Sequence, residues 1–119
     1  MRKLSLLSLL TAALLGAAPS ASGQELPDPA TGKVTEFPSP SGPKSGPYGI
    51  SAINDVIWYS ESGTTPNTVV RFDPKTEKFQ SWAIPGGGDI VRNTSVTREG
   101  DFVLANSLVN TVTLMKIGK

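Results

Sequence analysis

The sequence predicts an all-β fold made of two four-stranded antiparallel blades of the propeller type, a partial β-propeller. Three observations predict it. Past residue 23, the apolar residues fall in short runs rich in β-branched and aromatic side chains, each bounded by Gly, Pro, Asn or Asp. No stretch there carries a 3.6-residue apolar period with helix caps. The chain also lines up with itself at a spacing of 43–46 residues, the period of a four-stranded blade.

Taken in order, Arg2 and Lys3 open the chain, an apolar run follows over residues 4–18, and Pro19, Ala21, Ser22 and Gly23 supply small residues. This is the order of a secretory signal peptide, so residues 1–23 are expected to be removed on export to a periplasmic or extracellular location. The run of roughly 15 residues is short for a membrane span, which needs about 20, so no membrane association is expected after cleavage. Residues 24–32, with Pro27, Asp28 and Pro29, read as an extended leader. Strands are expected at 33–37, 48–53, 56–60, 68–72, 79–84, 93–97, 102–106 and 111–117. Asp73-Pro74-Lys75 reads as a type I turn. Gly86-Gly87-Gly88 lacks the Lys-Ser/Thr and the helix of a phosphate-binding loop and reads as an inter-blade connection.

The repeat assigns these strands to the two blades of residues 33–119. Thr31-Gly-Lys-Val-Thr-Glu-Phe matches Thr76-Glu-Lys-Phe-Gln-Ser-Trp at a spacing of 45, and Pro40/Pro85 and Gly42/Gly87 keep it. Asp55-Val-Ile-Trp-Tyr matches Asp101-Phe-Val-Leu-Ala at 46, and Asn67-Thr-Val matches Asn110-Thr-Val at 43. The second copy lacks its outer strand, and strand 33–37 is an outer-type strand without a blade. It is expected to clasp the last blade. Two blades do not close a ring, and their continuous apolar strands require cover on both faces. The chain therefore either assembles with its own copies or is the remnant of a longer gene.

Charge and composition exclude several function classes. The chain has 11 basic and 10 acidic residues. Without Arg2 and Lys3 the remainder is 9 against 10, with no basic patch for nucleic acid. Cysteine and histidine are both absent, which excludes disulfides, the usual zinc sites and triads that use either residue.

Gly46-Pro47-Tyr48-Gly49-Ile50, Ile57-Trp58-Tyr59-Ser60-Glu61 and Asn67-Thr-Val-Val-Arg71-Phe72-Asp73-Pro74 resemble a repeat of the streptogramin (virginiamycin B) lyase family, as do Lys75-Thr-Glu-Lys-Phe and Trp82-Ala-Ile-Pro. The resemblance covers roughly residues 32–119 and implies the C-terminal blades of a seven-bladed propeller. It also implies elimination that opens the lactone of type B streptogramins, with a bound magnesium ion, metal-binding glutamates and a histidine base. Glu61 stands at the strand-ending glutamate position and is the metal candidate. The base has no counterpart, since the chain contains no histidine. The alternative to a lyase is a ligand-binding or self-assembling repeat module without catalysis.

In a blade of this order, the loops at 46–49, 61–67, 90–93 and 107–110 open at one rim. Tyr48, Glu61, Arg92, Asn93 and Asn106 are then the candidate binding residues. A carboxylate, a guanidinium and two amides suit a small polar ligand or one hard cation.

Overall fold

A computed structural model describes residues 24–118. The signal-peptide reading of residues 1–23 lies outside the described residues. The described residues are all-β, with one short 3₁₀ turn among them at Pro85–Gly87. Nine strands follow one another: β1 (Gln24–Pro27), β2 (Val34–Phe37), β3 (Pro47–Ile53), β4 (Val56–Glu61), β5 (Thr68–Asp73), β6 (Lys78–Ala83), β7 (Val91–Val96), β8 (Phe102–Asn106) and β9 (Thr111–Met115). They form three antiparallel meanders: β1-β2, β3-β4-β5-β6 and β7-β8-β9.

The two larger sheets repeat one hydrogen-bonding frame. In β3-β4 the pairs Pro47↔Glu61 and Ile50↔Tyr59 flank a bulge. In β7-β8 the pairs Val91↔Asn106 and Thr94↔Leu104 flank a bulge at the same place. Glu61 then faces Thr68 as Asn106 faces Thr111, and Tyr59 faces Val70 as Leu104 faces Thr113. Glu61 and Asn106 are thus equivalent, at a spacing of 45. The expected match of Asp55 with Asp101 at 46 is off by one. Ile53 and Val56 pair across a two-residue turn, whereas Val96 and Phe102 pair across the longer stretch 97–101. The extra turn residues absorb the shift. Asn54 and Asp55 both hold positive φ in that tight turn, which these residue types tolerate.

The first two strands belong to the same frame. Gln24↔Phe37 and Pro27↔Val34 repeat Val69↔Trp82 and Phe72↔Phe79, each residue 45 positions earlier. The turns agree as well. Asp28 accepts from the Ala30 N–H at 2.9 Å, and Asp73 from the Lys75 N–H at 3.0 Å. Gly32 and Glu77 close these turns with positive φ. The segment expected as a leader therefore carries β1 and the turn of a half-blade, equivalent to β5-β6. Its signal was present in the sequence, since Asp28-Pro29 precedes Asp73-Pro74 by 45. The expected clasp is not formed. β2 pairs with β1, and its Phe37 packs on Phe72 at 4.7 Å between ring centres. This puts β2 on the face of the first sheet opposite the second sheet, so the second sheet has three strands where four were expected.

Period-2 alternation in β4 sorts its side chains. Trp58 joins Ile53, Val69, Ile84, Val91, Phe102 and Leu104 in a core between the two sheets. Ile57 and Tyr59 point the other way and join Val70, Phe72, Phe37 and Phe79. Burying aromatic and aliphatic side chains of this size stabilises by about 1.5–3 kcal/mol each. The inner strands of the sheets touch at Gly49, where a Cβ would lie 2.7 Å from Thr94 Cγ2 and 3.0 Å from the Val91 carbonyl oxygen. Ser51 and Thr94 share a hydroxyl hydrogen bond at 2.7 Å, and Ser60 donates to the Val91 carbonyl at 3.2 Å.

Candidate functional site

The expected rim exists. Ser62 accepts from the Val91 N–H at 3.3 Å, Gly63 donates to the Ser45 carbonyl at 2.8 Å, and Asn67 donates from its backbone to the Gly87 carbonyl at 3.1 Å. The Asn67 side-chain amide also bonds the Asp89 carbonyl. A Cβ on Gly63 would lie 2.1 Å from the Lys44 carbonyl oxygen, so only glycine fits there. The loops after the second strand of one blade and before the first strand of the next are thereby sewn together.

The five candidate residues do not converge at this rim. Glu61 is fully buried. Its carboxylate accepts from the Ser39 hydroxyl at 2.6 Å, the Ser41 hydroxyl at 2.5 Å, the Ser41 N–H at 3.1 Å and the Thr68 hydroxyl at 2.6 Å. Burial pushes its pKa up, but these four donors outweigh burial and hold the carboxyl below its ordinary value. Ser39 also shares a hydrogen bond with the Tyr59 hydroxyl at 2.7 Å; burial raises that phenol. Four donors occupy the lone-pair positions that a cation would need. Among the described residues, no three His, Cys, Asp or Glu side chains gather around a common point. The residues present do not fit the magnesium ion that the resemblance implies.

Asn106, equivalent to Glu61, is buried in the second sheet. Its amide nitrogen donates to Thr111 and Thr113 at 2.9 and 2.7 Å, and its Oδ1 is buried without a partner. The reason lies 45 residues after the serines that serve Glu61. Ile84 and Gly86 stand where Ser39 and Ser41 stand in the first copy, and neither has a hydroxyl. Arg92 and Asn93 are exposed on β7. Tyr48, 54% exposed, lies on the outer face of the first sheet, away from Asn106.

That outer face carries a recess. A groove of about 360 Å³ runs between β2 with the strap of residues 38–45 and the sheet, and is lined by Phe37, Tyr48, Ile50, Ile57, Tyr59 and Phe79 among others. Sequence reasoning did not single out Ile50, Ile57 or Phe79, because they carry no chemistry of their own. Their signal is the repeat. Ile57 is equivalent to Phe102 and Ile50 to Thr94, residues that pack on the neighbouring sheet. At the other end of the molecule, Val103, Ala105, Val112 and Leu114 share the outward face of the second sheet. Val112 is 73% and Leu114 50% exposed.

Fold and site together define a propeller-like stack of blade units with one outer face partly covered by β2 and its strap and the other open. The chain matches no protein-family model, no curated protein and no solved structure.

Proposed function

We propose that the chain is an exported, streptogramin-lyase-like propeller module that assembles with its own copies through its blade faces and performs no catalysis. The observation that carries this reading is the pair of outer blade faces, one open and one only partly covered. The molecule contains a blade-to-blade interface, and it presents the two halves of that interface again on its outer sides: one is partly covered by β2 and the strap of residues 38–45, and the other, with Val112 and Leu114, is open. Apolar faces of this kind act as interaction surfaces. The lyase reading lacks a base, because the chain has no histidine, and lacks a free metal carboxylate, because Glu61 is saturated.

Light scattering on the full chain across a range of concentrations tests the reading. A mass of several chains that falls on dilution is expected, and a single-chain mass throughout would remove it. Opening of a type B streptogramin lactone in the presence of magnesium would overturn the non-catalytic part, and no turnover above background is expected.

A further inference from the structure

Resting on the assembly reading, we infer that copies join head to tail. The second sheet of one copy seats on the outer face of the first sheet of the next, and β9 pairs with that copy's β2 in place of β1.

The internal interface supplies the template. Within one chain, Phe102 of the second sheet lies 6.1 Å from Trp58 of the first, and Thr94 bonds Ser51 at 2.7 Å. In the shared frame, Phe102 corresponds to Ile57 and Thr94 to Ile50; Trp58 corresponds to Val103 and Ser51 to Ser95. Repeating the same step between molecules therefore sets Val103 of one copy on Ile57 of the next, and Ser95 on Ile50. Ile57 and Val103 are only partly covered in the single chain, and Ile50 is 58% exposed. The interface between copies is continuous with the interface inside each. Asn93 stands where the internal interface uses Gly49, so the inner strands sit further apart at this joint than within the chain.

The strand inventory points to the same arrangement. The second sheet has strands equivalent to the first three of the first sheet, and among the described residues β9 pairs only with β8. Its missing neighbour is an equivalent of β6, and β2 is that equivalent by position and register. β2 also already lies against the outer face of the first sheet, with Phe37 on Phe72. Its present partner, β1, is four residues long and ends in Pro27, which has no N–H to donate. β9 offers five residues and no proline. The exchange replaces the ladder that contains Pro27 with one that contains no proline, while the apolar faces close.

The register of β5 on β6 fixes the contacts. Arg71↔Gln80 predicts Leu114 of one copy opposite Thr35 of the next. Two single-cysteine variants of the full chain, Thr35→Cys and Leu114→Cys, test this, because the protein has no cysteine of its own. Both positions are exposed, so neither change disturbs the core. Mixed and oxidised, they are expected to give a disulfide product of twice the chain mass containing one of each variant. Glu36→Cys, facing the other side of β2, is expected to give none with Leu114→Cys. Multimers that cross-link only Leu114→Cys to itself would overturn the head-to-tail arrangement and leave assembly standing. A single-chain mass at all concentrations would remove both.

Discussion

Glu61 ties the strap of residues 38–45 to the first sheet, and its loss has a definite cost. Glu61→Gln keeps the shape but replaces a carboxylate oxygen with a donor among three hydroxyls. A destabilisation of about 1–3 kcal/mol is expected in chemical denaturation. The carboxyl is held below its ordinary pKa in the folded chain, so the unfolded chain binds the proton more readily. Its stabilisation is present above the unfolded value of about 4.3 and is lost as pH falls through the folded value. Melting temperature should therefore drop more steeply below about pH 5 in the wild type than in Glu61→Gln. Asp73 and Asp28 are also lowered, but they titrate alike in both proteins. Equal acid slopes would show that Glu61 is not held by these hydrogen bonds. Sequence reading found Glu61 by its strand-ending position but gave it a metal to bind. What decided its role was Ser39 and Ser41, more than 19 residues away, and a carboxylate at a strand end does not announce which side chains will cover it.

At the scale of elements, the strands were legible because short β-branched runs between Gly, Pro and Asn turns admit few alternatives. The 102–106 strand was read to the residue, and the others to within about two residues, the usual play at strand ends. The half-blade β1-β2 was not read, although Asp28-Pro29 repeats Asp73-Pro74. A four-residue strand containing Glu25 and Pro27 gives too weak a pattern by itself, and only register exposes it. The pairing of the sheets was equally hidden, since it depends on how closely β3 approaches β7. Gly49→Ala places a methyl group against Thr94 and the Val91 carbonyl, and a loss of about 1–3 kcal/mol is expected. The larger effect belongs to Trp58, which packs on both Trp82 and Phe102 at 5.8 and 6.1 Å. Trp58→Ala should cost about 3–5 kcal/mol, read as a lower denaturant midpoint. If Trp58→Ala left stability unchanged, the inter-sheet core would not be what joins the blades.

For the whole molecule, the repeat explains why a face that is finished between the two sheets is only partly covered at one end and open at the other. The sequence led to the expectation of two bare faces, because continuous apolar runs such as Val56-Ile57-Trp58-Tyr59 need partners on both sides, and β2 covers part of one of them. It did not show which strand would meet which. A clasp within one chain and the proposed clasp between two chains would use the same residues, and the position of β2 on the far side of the first sheet argues against the first. The proposed assembly depends on Val112 and Leu114, which are exposed in the single chain and contribute little to its own core. The most direct measurement is sedimentation velocity of the wild type beside a Val112→Lys/Leu114→Lys variant at matched concentrations. The wild type is expected to sediment as a concentration-dependent multimer and the variant as a folded single chain. A wild type that sediments as a single chain, or a variant that assembles as the wild type does, would contradict assembly through the outward face of the second sheet.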